Sequence, residues 1–230
     1  MKRICLFFSL VALFTLNGNA QKGTTNYGLK IGPNLNWVSS SSDSGENAGA
    51  KLGFCLGGFV DHYFSDYMAL SLGLNFQVTS LSYQFIDNRF VENFLVPSNV
   101  SVNRKFKGSY FEVPVKVKVK TEIMDSWKVY ADAGVGVGVN LSARGKDSYE
   151  FYGVSYTDTR YVNYLSEYRL LQAALKFGVG AEYEVSSNLN VFAQLTYHHA
   201  LSNTFTKRLQ DLTGSNLKLR FIGLEMGILF

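Results

Sequence analysis

Apolar and polar residues alternate with a period of two in eight successive segments of this chain: 27–37, 52–60, 70–78, 111–119, 129–141, 171–183, 189–197 and 222–230. The third is the cleanest, with Leu70, Leu72, Leu74, Phe76 and Val78 opposite Ser71, Gly73, Asn75, Gln77 and Thr79. A helix would repeat its apolar residues every 3.6 positions, so the pattern specifies strands with one apolar and one polar face. These runs exceed the usual globular strand of ~5–6 residues and reach the about 9–11 that a tilted strand needs to cross a bilayer. Lys218 and Arg220 break the parity of the last segment, which predicts a bulge there or a start above a membrane.

The connections sort by length. Segments 39–49, 80–107, 143–168 and 202–216 are long and polar, whereas 62–67, 121–126 and 185–188 are short. Outer-membrane barrels have short periplasmic turns and longer extracellular loops. Four long and three short connections suit eight strands whose two chain ends both lie on the short-turn side. No stretch after residue 20 holds 18 uninterrupted apolar residues, so any crossing would require a closed barrel, in which each backbone group pairs with a neighbouring strand. Three prolines, 21 glycines and 15% aromatic residues suit such a sheet. The expected fold is all-β: an eight-stranded antiparallel up-and-down transmembrane β-barrel over residues 21–230.

Alternation alone leaves open which face looks outward, since a lipocalin-type barrel would hold its apolar face inside. Three features favour apolar-out. Tyr27, Tyr63, Phe64, Tyr67, Trp127, Tyr183 and Phe230 cluster near the short-turn end, as an interfacial girdle would. Glycines such as Gly134, Gly136 and Gly138 thin the polar face, leaving room in a narrow lumen for Lys, Glu and Tyr. The chain also stops on an aromatic residue, Phe230.

The first twenty residues read as a cleavable secretion signal. Lys2 and Arg3 precede an apolar run from 4 to 16, and Gly18-Asn19-Ala20 offers small residues for a peptidase. Cleavage after Ala20 lowers the formal charge from +4 to +2 and leaves Cys55 alone, so no disulfide framework is expected. Interleaved acids and bases at this low net charge are no footprint for nucleic acid.

Tyr27-Gly-Leu-Lys-Ile-Gly-Pro-Asn-Leu-Asn36, Gly57-Gly-Phe-Val-Asp61 with Phe64-Ser-Asp66, and Tyr110-Phe-Glu-Val-Pro-Val-Lys116 resemble the PorT-like outer-membrane β-barrel family of Bacteroidetes-type bacteria. The ending Gly223-Leu-Glu-Met-Gly-Ile-Leu-Phe230 is similar to the C-terminal signal read by barrel-insertion machinery. The resemblance implies an outer-membrane location in a Gram-negative bacterium. It also implies contact with membrane lipid and the insertion machinery, and a non-enzymatic role among envelope or secretion-assembly partners. It supplies no catalytic residues.

No catalytic, cofactor or metal residues are assigned. His198 and Ser202 share lumen parity but lie four residues apart, about 13 Å at a rise of ~3.3 Å, too far for a nucleophile and its base unless the strand ends between them. His198 and His199 point to opposite faces, and His62 sits at the other end. Gly134-Val-Gly-Val-Gly138 lacks the Lys-Ser/Thr of a phosphate loop. Lys116, Lys118, Lys120 and Lys128 should face Asp132, Glu182 and Glu184 across the lumen, as a plug of mutually neutralising charges or as an ion-selective pore. Segments 80–107 and 143–168 are rich in aromatics and arginine, residue types enriched at binding hot spots. Tyr149, Phe151, Tyr152, Tyr156, Arg160 and Tyr161 form the candidate partner-binding loop. The alternative is that both segments simply extend their hairpins and pack together. A narrow small-solute or ion channel remains the competing function.

Overall fold

The computed structural model describes residues 23–40, 46–47, 49–89, 98–124, 126–151, 154–157, 162–206 and 216–230. The expected signal segment, residues 1–20, lies outside them. Eight long strands form the wall: β1 (Thr25–Ser40), β2 (Lys51–Tyr63), β3 (Met68–Arg89), β4 (Ser98–Met124), β5 (Trp127–Phe151), β6 (Leu171–Ser186), β7 (Leu189–Ala200) and β8 (Leu217–Leu229). Each pairs antiparallel with its sequence neighbours. β1 also pairs with β8, from Gly28↔Leu229 to Ser40↔Leu217, which closes the ring and leaves no wall edge. Three short strands attach above it: Glu46–Asn47 on β3, and Val154–Thr157 and Val162–Asn163 on β5.

The apolar face looks outward. Leu29, Ile31, Leu35, Leu70, Leu72, Leu74, Val115, Val117 and Val119 are exposed, while Lys30, Asn34, Asn36, Ser71, Asn75, Lys116 and Lys118 are buried. At the short-turn rim Tyr27 stacks on Phe230 at 6.5 Å and Trp127 meets Tyr183 at 5.0 Å, all four exposed. Tyr63 departs from the expected girdle. It has lumen parity next to Asp61 and is buried, closing the barrel floor with Lys120 Nζ 3.9 Å from its ring centre.

Above this band the two faces exchange character. On β3 the inward positions run Ser71, Asn75, Gln77 and Thr79 and then become Leu81, Tyr83 and Phe85. On β8 they run upward from Glu225 to Phe221, Leu219 and Leu217, all buried, while Arg220 and Lys218 face out. The pairing of β8 with β1 keeps one register from Gly28↔Leu229 through Trp37↔Arg220 to Ser40↔Leu217, so no bulge underlies Lys218 and Arg220. β8 simply starts above the membrane band. A bulge at this height lies instead between β4 and β5, where Ser109↔Ser142 and Tyr110↔Asn140 skip Leu141 and shift the upper half of β5 by one residue.

In the described parts of 80–107 and 143–168 the structure has the alternative reading, hairpins that extend upward and pack together, in place of loops. β3, β4 and β5 are 22, 27 and 25 residues long, well beyond the about 9–11 needed to span a bilayer. Their surplus continues the barrel upward with polar residues outside and apolar ones inside. The period of two survives there, but its phase relative to water is reversed.

Candidate functional site

The interior has two storeys, and the lower one holds charge. Four buried lysines, Lys30, Lys116, Lys118 and Lys176, meet five buried carboxylates, Asp61, Glu112, Asp132, Glu182 and Glu225. Lys116 Nζ lies 2.5 Å from Asp132 Oδ2, and Gln194 donates to the same oxygen at 2.7 Å. Lys118 serves two carboxylates, Asp61 Oδ2 at 2.8 Å and Glu182 Oε1. Lys30 pairs with Glu225 at 2.8 Å and Lys176 with Glu112 at 2.6 Å. Ion pairs taken out of water keep both charges only when geometry is close and the remaining lone pairs are met. Asn75, Gln194 and Tyr130 supply part of that second layer.

Glycine makes the room. A methyl group at Gly136 would collide with Glu112 Oε1, and one at Gly178 with the Gln194 amide and Asp132 Oδ1. Filled in this way, the lower lumen retains a cavity of about 20 Å³ lined by Lys30, Asp61, Lys116, Lys118, Tyr130 and Asp132. That is space for about one water.

The upper storey is an aromatic cap. Phe106 on β4 packs against Tyr164 at 5.9 Å, Tyr168 at 5.6 Å and Phe205 at 5.1 Å. Leu81, Tyr83, Val102, Leu217, Leu219 and Phe221 surround it. Tyr168 bridges to Phe205, bringing the segments after β5 and β7 together over the mouth. Burial pushes the Tyr168 phenol well above the ordinary tyrosine range, so it stays neutral. Arg104 grips Asp147 in a two-point pair at 2.5 and 2.7 Å, with its guanidinium 4.5 Å from the centre of the Tyr164 ring.

Of the expected lumen network, Lys116 pairs with Asp132 and Lys118 with Glu182. Lys128 and Glu184 form a separate, partly exposed pair at 3.0 Å near the short-turn rim. Lys120 sits on Tyr63 instead of joining the Lys116–Asp132 and Lys118–Glu182 pairs. Lys30, Asp61, Glu112, Lys176 and Glu225 join this interior and were missed as site residues, although each stands on the polar side of its alternating segment. His198 is buried, stacked on Phe221 at 4.3 Å, with Nε2 3.6 Å from Glu112 Oε1. Ser202 Oγ accepts a hydrogen bond from the Ala173 amide at 3.1 Å, so the structure employs these two side chains separately. Of the candidate loop, Tyr149 and Tyr156 stack at 5.2 Å across a hairpin of β5 with Val154–Thr157. Phe151 ends β5, and Tyr152, Arg160 and Tyr161 lie outside the described residues. Phe230 exchanges two backbone hydrogen bonds with Tyr27 at 2.7 and 2.8 Å, sealing the first strand to the last.

No curated protein matches the chain. Among solved structures it is similar to Ail, the attachment invasion locus protein of Yersinia pestis, in complex with the heparin analogue sucrose octasulfate (16% identity, 91% of this chain and 100% of that chain covered, TM-score 0.39). It is also similar to Neisserial surface protein A (13% identity, 91% and 98% covered, TM-score 0.47) and to the outer membrane protease OmpT from Escherichia coli (9% identity, 94% and 98% covered, TM-score 0.39). At these identities the likeness concerns the fold alone. A model of the family described as "Outer membrane protein beta-barrel domain" matches residues 19–206. That match spans most of a chain whose ring is closed and whose apolar side faces out, so the chain belongs to the outer membrane protein β-barrel domain family and its place is the outer membrane of a Gram-negative bacterium.

Proposed function

We propose that this barrel is a closed, non-enzymatic scaffold that carries an extracellular extension to partners in the cell envelope. The observation that carries the reading is the double filling of its interior, with paired charges below and an aromatic cap above. Eight strands enclose an interior that side chains fill, and here the cavity beside Lys116, Lys118 and Asp132 has space for about one water. Catalysis finds no support in a His198 that is buried and a Ser202 already engaged by the backbone. The resemblance to PorT-like barrels supports partners belonging to an envelope or secretion assembly.

Planar bilayers test the closed lumen. Refolded protein should give no steady conductance in either polarity. Stable steps whose ion selectivity changes with Lys118→Glu would replace the scaffold by the channel reading.

A second expected result concerns assembly. Phe230 stands exposed at the rim and closes the ring against Tyr27. Its deletion should lower the folded, heat-modifiable barrel in outer membranes at least tenfold while unassembled chain is still exported to the periplasm. Fractionation with unboiled gels measures both. Assembly at the wild-type level would refute the terminal residue as the insertion signal.

A further inference from the structure

Where the apolar band ends, the outer face of β4 and β5 carries a dense group of cations. In the ladder Lys105 lies opposite Lys146 and Lys107 opposite Arg144. Their neighbours Arg104, Phe106, Ala143 and Asp147 are buried inside, so all four point outward. Lys105, Lys107 and Arg144 are exposed and Lys146 is half-buried. Residues directly opposite have Cβ atoms ~4.5–5.5 Å apart, and same-face neighbours along a strand are ~6.6 Å apart. The Cβ atoms of these four residues therefore fall within a patch of roughly 5 by 7 Å. Lys105 facing Lys146 sets like charges opposite one another across the ladder, which is destabilising, so that pair calls for an anion.

The skipped Leu141 is what creates the patch. Without that bulge Arg144 and Lys146 would turn into the cap, while Ala143 and Gly145 faced out. The last band residues on these strands, Phe111 and Leu141, are exposed. The cations begin three to four residues higher, about 10–13 Å along the strand, or about 8–10 Å in height at a tilt of ~40°. This is headgroup level, and lysine stems reach along apolar surface while keeping the ammonium in the polar layer. The short-turn rim of the same two strands is different: its outward residues Val119, Thr121, Ile123, Trp127 and Val129 carry no charge. The cations thus serve one leaflet only.

We propose that Lys105, Lys107, Arg144 and Lys146 bind the phosphate groups of the outer-leaflet glycolipid, lipopolysaccharide. Arg144 offers a planar two-point fork and the lysines offer point charges, both suited to phosphate oxygens. Ser80 beside Lys107 and Asn163 beside Arg144 add neutral donors at the edge of the patch.

Titration of the detergent-solubilised full barrel with a short-core lipopolysaccharide, followed by native mass spectrometry, tests this. Lys105→Gln with Lys146→Gln should bind at least tenfold more weakly. Wild-type protein should show the same loss with enzymatically dephosphorylated lipopolysaccharide. Lys218→Gln with Arg220→Gln, on β8, should bind as the wild type does. Heat-modifiable migration confirms that each variant is folded; the single Lys105→Gln, expected to bind about threefold more weakly, serves if the double variant does not fold. Equal binding by wild type and variant overturns the proposal. So does displacement by an equal concentration of inorganic phosphate, or equal affinity for phosphatidylglycerol, since either would make the patch a general anion site.

Discussion

Lys118→Met should destabilise the folded barrel by about 3–5 kcal/mol, the usual cost of removing one partner from a buried ion pair. The lysine holds Asp61 at 2.8 Å as well as Glu182, and all three groups are buried. Methionine fills a similar volume but leaves two carboxylates facing one another without a cation. Adding Asp61→Asn and Glu182→Gln to the same variant should recover most of the loss, because neutral partners of similar shape remove the uncompensated charge. Urea unfolding in lipid vesicles, read through Trp37 and Trp127, measures both steps. A loss under about 1 kcal/mol, the range of exposed ion pairs, would mean that water reaches this network and that the lumen is wetter than its packing implies.

The wall of this molecule is legible residue by residue in the sequence. Alternation from Leu70 to Val78 assigned each side chain to a face, and the glycine-thinned polar side marked the interior. What alternation cannot supply is height. Lys118 meets Asp61 and Glu182, 57 and 64 residues away in the chain, because the stagger between strands brings those positions to one level. Parity put Lys120 on the same side, yet its level is that of the Tyr63 ring. Tyr63 itself was read with its aromatic neighbours as girdle, although its parity with Asp61 already placed it inside.

The upper half left two readings open, loops or extended hairpins, for a different reason. Leu81, Tyr83 and Phe85 alternate with Ser82 and Gln84 as regularly as any segment below, but the mixture of aromatic and polar residues resembles a loop in composition. Inside a membrane band the apolar phase faces out, and in water it faces in. A strand crossing that boundary changes partners without changing its period. β5 needs a shift of one residue to do so, supplied at Leu141, whereas β8 needs none because Phe221 is inward on both counts.

Replacing 149–160 by Asn-Gly should leave a folded, heat-modifiable barrel that no longer complements a deletion strain. Lipid-facing residues must stay apolar and the lumen must stay filled, so the proposed recognition is left to the top, where binding residues commonly sit on a rigid scaffold. The excised tip carries the stacked Tyr149 and Tyr156 with Phe151, Tyr152 and Arg160, residue types that dominate binding hot spots. Position matters here. A wider excision of 146–164 would also take Asp147, leaving Arg104 buried without its carboxylate, and Tyr164, uncovering Phe106. Loss of the cellular role in that variant could then come from a collapsed cap. The narrower cut keeps both contacts, giving up only the packing of Tyr149 and Tyr156 on the edge of the cap, and, continuing the Gly145↔Val162 register, closes with a four-residue connection of an ordinary hairpin length. Full complementation by this variant would show that the tip is not the recognition surface, and would turn attention to the cation face of β4 and β5.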